Sequence, residues 1–416
     1  MKTFSELTLS PILGSNLAKH GFVEPTPVQV AAIPPALEGK DIVATAQTGT
    51  GKTLAFVLPV LQALTKEPLR AGISAIILSP TRELAIQIHE AFTKLAMATG
   101  IRAAVVVGGM SEQTQLQNIR KGAQVLIATP GRLSDYLNRR LVKLAGVRQV
   151  VLDEADRMLD MGFLPTIEAI LKECPKERQT LFFSATIESS VAHLIDKHVI
   201  NPIRITIGST TKPHEQIDLH VYEVEQDRKV GLLEHMLQKH EGSFLVFART
   251  KHGADRLSKR LLTGGVKATS IHGDRSQSQR NQALKGFQQG FFRVLVATDV
   301  AARGIHVEGI SHVVNFDLPQ IPEDFIHRAG RTGRAGARGV ASTFSTRGER
   351  REIQKIERAL NIRLMKQVVA PEIVAEKRSA APIIVMPAHT ANRPSSESFR
   401  PNRRTGSGGG GRSSRY

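Results

Sequence analysis

Two adjacent carboxylates, Asp153 and Glu154, end the apolar run Val150-Val151-Leu152 and lead into Ala155-Asp156. A buried strand that ends in Asp then Glu suits holding a metal ion and activating a water. Asp153 is the expected magnesium partner, mostly through coordinated water. Glu154 is the group expected to orient and deprotonate the attacking water. Alone, the two acids would equally suit the start of a helix, where negative charge favours the dipole. The stretch Ala46-Gln47-Thr48-Gly49-Thr50-Gly51-Lys52-Thr53 tips the balance. A glycine-rich turn from strand to helix aims backbone N–H groups at an anion. Gly49 and Gly51 let the backbone approach phosphates, Lys52 pairs with the β- and γ-phosphates, and Thr53 offers its hydroxyl to magnesium. The strict phosphate-loop pattern opens on Gly, and this chain has Ala46 there. A third set, His327-Arg328-Ala329-Gly330-Arg331-Thr332-Gly333-Arg334, brings cations. Phosphoryl transfer spreads negative charge over the γ-phosphate oxygens, so Arg331 and Arg334 are candidate arginine fingers, with His327 beside them. Fingers so far along the chain imply that hydrolysis needs two parts of the molecule closed on each other.

These residues need rigid strand ends to hold them. Short, nearly continuous apolar runs alternate with helical stretches from about 41 to 207: Ile42–Ala46, Ala75–Ser79, Ala104–Val107, Val125–Ala128, Val150–Asp153 and Leu181–Ser184. Such runs suit strands buried on both faces, and the alternation with helices predicts an α/β fold with a covered parallel sheet. The pattern breaks at Ile207-Gly208-Ser209-Thr210-Thr211-Lys212-Pro213-His214, which reads as a linker. A second series follows: Leu219–Val224, Phe244–Phe247, Ala268–Ile271, Val294–Ala297, His312–Phe316 and Val340–Phe344. The expected organisation is a first domain over 1–207, a linker over 208–216, a second α/β domain over 217–369 and a disordered basic Gly/Arg/Ser-rich tail over 370–416. A cleft lies between the two domains, and no short-period repeat is visible.

The 416 residues carry a formal net charge of +18. Residues 370–416 hold eight Lys/Arg against three Asp/Glu, so most of the excess lies in the folded part. A polyanionic partner is implied, nucleic acid ahead of membrane. The single cysteine, Cys174, excludes an internal disulfide and fits a reducing compartment. The start Met1-Lys2-Thr3-Phe4-Ser5-Glu6 has no apolar signal core, and no run approaches the roughly 18 apolar residues of a membrane span. A soluble, cytoplasmic protein is expected. The tail has only Phe399 and Tyr416 as aromatics and reads as a weak RNA tether or a solubilising segment.

Taken in order, these motifs resemble the DEAD-box ATP-dependent RNA helicases, including the bacterial RhlE-like branch, over roughly residues 1–365. The resemblance implies two tandem RecA-like domains with ATP and RNA in the cleft, and ATP and Mg2+ as cofactors. Gly21-Phe22-Val23-Glu24-Pro25-Thr26-Pro27-Val28-Gln29 matches the family's adenine-reading Q motif. The match implies that Phe22 stacks on adenine, that Gln29 reads its edge through a bidentate amide, and that Glu24 lies in the nucleotide site. Phe4 corresponds to the family's isolated upstream aromatic. Ser184-Ala185-Thr186 matches the motif linking hydrolysis to strand separation, its hydroxyls bonding the Asp156 region and the second domain. In Ala297-Thr298-Asp299-Val300-Ala301-Ala302-Arg303-Gly304-Ile305-His306 the family ends on Asp, which accepts from the ribose hydroxyl. His306 stands there instead, which implies a weaker or pH-dependent ribose contact.

The resemblance also implies an RNA track. Thr81, Arg82, Gly109, Thr129 and Arg132 match its contacts in the first domain, and Arg249 with Thr250, Gln277 with Arg280, and Thr298 match those in the second. Guanidinium and hydroxyl groups on loops suit a sugar-phosphate backbone and carry little sequence information. RNA over DNA would follow from the 2′-hydroxyl. The implied cycle couples ATP and RNA through one closure free energy and melts short duplexes locally. The rivals are an ATP-gated RNA clamp without productive unwinding, a DNA translocase, and a P-loop metabolic kinase. The last would leave the distant arginines idle. A monomer is expected, and ribosomal or RNA-degradation assemblies are partners of the kind the resemblance allows.

Overall fold

The structure, a computed structural model, describes residues 1–46, 49–66, 72–207, 216–302, 307, 309–333, 338–373 and 375. The strands of the first half are β1 (Ile42–Ala46), β2 (Ala75–Leu78), β3 (Ala103–Val106), β4 (Val125–Ala128), β5 (Gln149–Leu152), β6 (Gln179–Ser184) and β7 (Ile203–Ile207). They form one parallel sheet in the order β3-β4-β2-β5-β6-β1-β7. The second half contributes β8 (Ile217–Glu223), β9 (Ser243–Phe247), β10 (Ala268–Ile271), β11 (Val294–Ala297), β12 (Ile310–Asn315), β13 (Gly339–Ser345) and β14 (Met365–Gln367). Its order, β10-β11-β9-β12-β13-β8-β14, is the same winding.

Successive side chains of a strand point to opposite faces, and here both faces are covered. Ile77 and Val151 enter the core on one side of the first sheet, while Ile76 and Val150 enter the core on the other. In the second sheet Leu245 and Val246 divide the same way. This double burial is why the strands read as unbroken apolar runs. Each of the twelve expected strands is present; four have the expected ends and the others are shifted by one or two residues. Two more, β7 and β14, have no such run. Both lie at sheet edges, where Ile203, Arg204 and Met365 face outward.

Sheet order sets the layout of the site. Strands β5, β6 and β1 are neighbours, with Thr45 level with Ser184 and Leu152 level with Phe182. Their C-terminal tips therefore bring the phosphate turn, Asp153 and Ser184 together, as open α/β sheets do for ligands. The tips of β2, β4 and β3 carry Thr81, Thr129 and Gly108 on the other half of the same edge. Both lobes belong to one compact unit, Met1–Glu376. They meet where Gln277 Nε2 donates to Glu83 Oε1 (2.7 Å), where Arg280 Nη2 lies 2.9 Å from Glu83 Oε2, and where Arg157 Nη2 lies 3.3 Å from His327 Nδ1. Among the described residues no helix is long and apolar enough to cross a membrane. The linker residues 208–215 and the tail from 376 lie outside the described residues.

Candidate active site

The phosphate turn leaves β1 and enters the helix Lys52–Thr65 at Gly51, whose φ is +88°. A Cβ there would come within 2.6 Å of Gln29 Nε2, so conformation and space both demand glycine. Lys52 is buried, and its Nζ donates to the carbonyl of Ala46 (2.8 Å), the residue replacing the pattern's first glycine. Thr53 is half-buried one position on. Gln29 sits in the helix Pro27–Leu37, capped by Thr26 in a reciprocal capping box. Gln29 Oε1 accepts from Thr26 N (2.8 Å), and its Nε2 donates to the Gly51 carbonyl (3.0 Å). Thr26 Oγ1 donates to the Thr50 carbonyl (2.7 Å). Each end of the Gln29 amide keeps one free position for a base. Phe22 is 39% exposed, as a stacking platform requires, while Phe4 is core. Glu24 is exposed on the same loop. Gln47 and Thr48 lie outside the described residues.

Asp153 follows β5 directly, and its N–H extends the β2 ladder to Leu78 O (2.9 Å). Its Oδ1 accepts from Glu154 N (3.1 Å). Glu154 then takes a left-handed conformation, φ +50° and ψ +53°, as the chain turns into the helix Ala155–Asp160. Such a conformation costs a residue with a Cβ roughly 1–2 kcal/mol. Both acids are buried. Burial pushes the Asp153 carboxyl up to about 7 against the pull of Lys52, with Glu154 adding to the rise. Burial acts on Glu154 too, but Arg157, Arg331 and Lys52 outweigh it and hold that carboxyl at about 2.

The second lobe faces these acids with the helix Pro322–Ala329 and the residues after it. Burial, with the neighbouring Arg157 charge, lowers His327 to about 4, so the ring is neutral. Arg331 is buried in the seam, and its Nε donates to the His327 carbonyl (3.2 Å). Arg328 has a different place. Its Nε and Nη2 grip Asp299 (2.6 and 2.7 Å), and its Nη1 reaches Asn315 Oδ1 (3.2 Å) and the Asp317 carbonyl (2.7 Å). It therefore ties the end of β12 to Asp299 inside the second lobe. Arg334 and His306, with Arg303, Gly304 and Ile305, lie outside the described residues.

Asp156 joins the acid helix to the β6 tip. Its Oδ2 accepts from Ala185 N (3.0 Å), Thr186 N (2.9 Å) and Thr186 Oγ1 (3.2 Å), while its own N–H donates to Ser184 Oγ (3.2 Å). Ser184 Oγ donates onward to the Thr186 carbonyl (2.7 Å). These bonds tie the two motifs to each other.

On the RNA side, Thr81 Oγ1 caps the helix Arg82–Leu95 by accepting from Leu84 N (3.3 Å). The Arg82 guanidinium lies so close over Gly109 that any Cβ would strike it, and Gly109 has φ +74°. Thr129 starts the helix Pro130–Asn138. Arg132 on that helix faces Asp135 (3.1 Å), Glu112 (3.5 Å) and the ring of Tyr136. Arg249 is exposed, 3.6 Å from Glu349, and Thr250 caps the helix Lys251–Thr263. Thr298 is buried after β11. Gln277 and Arg280 are buried on Glu83 in the seam. Glu83 and Arg157 had no assigned role in the motif reading. The signal for Arg157 was its spacing of three from Glu154 on a helix. Glu83 carried none, since its partners are nearly two hundred residues away.

The chain is similar to known proteins over most of its length. The DEAD/DEAH box helicase family matches residues 26–194, and the helicase conserved C-terminal domain matches residues 228–336. A DEAD-box ATP-dependent RNA helicase CshA of Bacillus cereus is 42% identical over 333 residues, 80% of this chain. The chain spans 63% of that relative's length. Saccharomyces cerevisiae Dbp5 bound to RNA and ADP BeF3 superposes with a TM-score of 0.79 at 31% identity, over 88% of this chain and 96% of Dbp5. A DEAD box protein from the hyperthermophile Methanococcus jannaschii is 38% identical, over 88% of this chain and 99% of its own, yet superposes at only 0.53. The superposition is closer on the RNA- and nucleotide-bound protein, despite its lower identity.

Proposed function

The chain belongs to the DEAD-box helicase family, and from that membership we propose that it is an ATP-dependent RNA helicase whose hydrolysis drives local unwinding or remodelling of RNA duplexes. One observation carries the reading: the phosphate turn and acid pair of one lobe face His327 and Arg331 of the other across a closed seam. Neither lobe alone holds both the turn and the opposing cations.

Lys52 and the turn from Ala46 to Thr53 cradle the phosphates, with Gly49, Thr50 and Gly51 supplying backbone N–H groups. Phe22, Glu24 and Gln29 receive adenine. Thr53 and Asp153 suit a magnesium ion, since both offer the hard oxygens it takes alongside phosphates and water. When bound, the ion offsets phosphate charge. Glu154 orients the attacking water and takes its proton. Arg331, with Arg334, meets the charge that develops on the transferred group. Ser184 and Thr186 relay the state of the acid helix through Asp156. Thr81, Arg82, Gly109, Thr129, Arg132, Arg249, Arg280 and Thr298 follow the RNA backbone without reading sequence. We place the first domain at 1–207, the linker at 208–216, the second domain at 217–369 and a basic tail at 370–416. We propose a monomer in the cytoplasm, a reducing compartment that the single cysteine fits.

The test is ATP hydrolysis with and without single-stranded RNA, together with displacement of a strand from a short duplex. Wild type should hydrolyse ATP faster with RNA and release the strand only with ATP. Lys52→Ala should lose nucleotide binding, and Glu154→Gln should bind ATP but remain trapped on RNA. RNA-stimulated hydrolysis without strand release would leave a clamp in place of a helicase. Stimulation by DNA equal to that by RNA would remove the RNA assignment.

A further inference from the structure

Arg157 bonds both to Glu154 of the acid pair and to His327 of the opposite lobe. It is buried in the helix Ala155–Asp160, one turn beyond Glu154. Its Nη1 donates to Glu154 Oε2 at 3.1 Å, and its Nη2 faces His327 Nδ1 at 3.3 Å. A guanidinium has only donors, so Nδ1 must present its lone pair and the ring proton must sit on Nε2. His327 is thus a neutral acceptor, and the planar fork spans from the hydrolytic carboxylate to the second lobe. The Arg157 backbone N–H also donates to Asp156 Oδ1 (2.9 Å), which fixes the start of the side chain. Arg157, His327 and Arg331 line a cavity of about 10 Å³ together with Arg328, Asp299 and Phe247, room for roughly one water. The Arg157 and Glu154 side chains are buried, where such hydrogen bonds count most.

We propose that Arg157 is a positioning residue that couples lobe closure to the orientation of Glu154. With the lobes together, His327 holds one end of the guanidinium and the other end holds the Glu154 carboxylate in the direction needed for water attack. With the lobes apart, His327 is gone, the fork is free to rotate, and Glu154 loses its fixed direction. Closure therefore sets the base as well as delivering Arg331. This assignment rests on the helicase reading above.

The experiment is a double-mutant cycle in the full chain. Arg157→Met, His327→Gln and the pair are compared with wild type for kcat and KM of RNA-stimulated ATP hydrolysis, and for affinity toward a fluorescent ATP analogue without RNA. Arg157→Lys is included because an ammonium keeps the charge but cannot hold both partners in one plane. Arg157→Met is expected to lower kcat at least tenfold while analogue affinity stays within about twofold. The double variant should be no slower than the slower single, because both changes cut one connection. Arg157→Lys should keep the fold, shown by an unchanged Tm, and still lose most of kcat. Wild-type kcat in Arg157→Lys, multiplicative losses in the double variant, or faster hydrolysis in either Arg157 variant would each overturn the assignment. Failure of wild type to hydrolyse ATP would count against the helicase reading instead.

Discussion

Replacing Glu83 by Ala should uncouple RNA from ATP while leaving each lobe intact. Glu83 is 1% exposed, and it takes Gln277 Nε2 at 2.7 Å and the Arg280 charge at 2.9 Å across the seam. Burial lowers the Arg280 pKa more than Glu83 restores it, so this cation is held at a cost even with its partner present. Without Glu83, closing the lobes would strip water from an uncompensated charge, a penalty of about 3 kcal/mol. Open lobes leave both groups hydrated, so the whole penalty falls on closure. At 1.4 kcal/mol per tenfold, the closed fraction should fall by roughly 150-fold. By linkage, RNA should tighten ATP binding by that much less, and ATP should tighten RNA binding by the same factor. ATP affinity without RNA should not move. The assay is the Kd of a labelled RNA with and without a non-hydrolysable ATP analogue, in wild type, Glu83→Ala and Glu83→Ala/Arg280→Met. The second change removes the stranded charge and should return part of the lost coupling. Unchanged coupling in Glu83→Ala would refute the reasoning. Tighter RNA binding would reverse it, making Glu83 a restraint on a phosphate-binding Arg280.

Other consequences are as direct. Gly51→Ala sets a Cβ 2.6 Å from Gln29 Nε2 at φ +88°, so ATP-analogue affinity should drop at least tenfold with little change in the Tm of the second lobe. Gly109→Ala displaces the Arg82 guanidinium and should weaken RNA binding severalfold while RNA-free ATP affinity stays constant. Burial acts to raise Asp255, but hydrogen bonds from Ser270, His272 and Arg275 outweigh it and bring the carboxyl from its ordinary 3.8 to about 2. A depressed carboxyl stabilises the fold above its unfolded value and loses that contribution as the pH falls through 3.8 toward 2. Asp255→Asn should therefore lower Tm at neutral pH and leave a shallower fall in Tm between pH 4 and 2, as followed by circular dichroism.

The sheets were legible because each inner strand is buried on both faces and shows as an apolar run. Strands β7 and β14 escaped because an edge strand needs no such run; Ile205 is the one buried residue of β7. The phosphate turn and acid pair were legible because their chemistry is local, each set within eight consecutive residues. The cations were harder. Arg328 and Arg331 look alike in sequence, yet Arg328 is spent on Asp299 and Asn315 inside the second lobe, while Arg331 sits in the seam. Only the fold shows that Arg328 has Asp299 waiting in its own lobe. The same holds for Glu83, whose partners come from a helix of the other lobe, and for Arg157, whose neighbour Asp156 drew attention to the acids around it.

The matching strand order of the two sheets is what a doubled ancestral unit would leave behind. The halves have since parted ways at one corner. After β1 the chain makes a glycine turn; after β8 it runs Val224-Glu225-Gln226-Asp227-Arg228, acidic and without a glycine. Among its described residues the later half shows no such turn, and under the proposed function it would serve as a lid over its sibling's. Under the proposed function, division of labour between twins would make each idle by itself, so the timing of turnover would follow how often they meet.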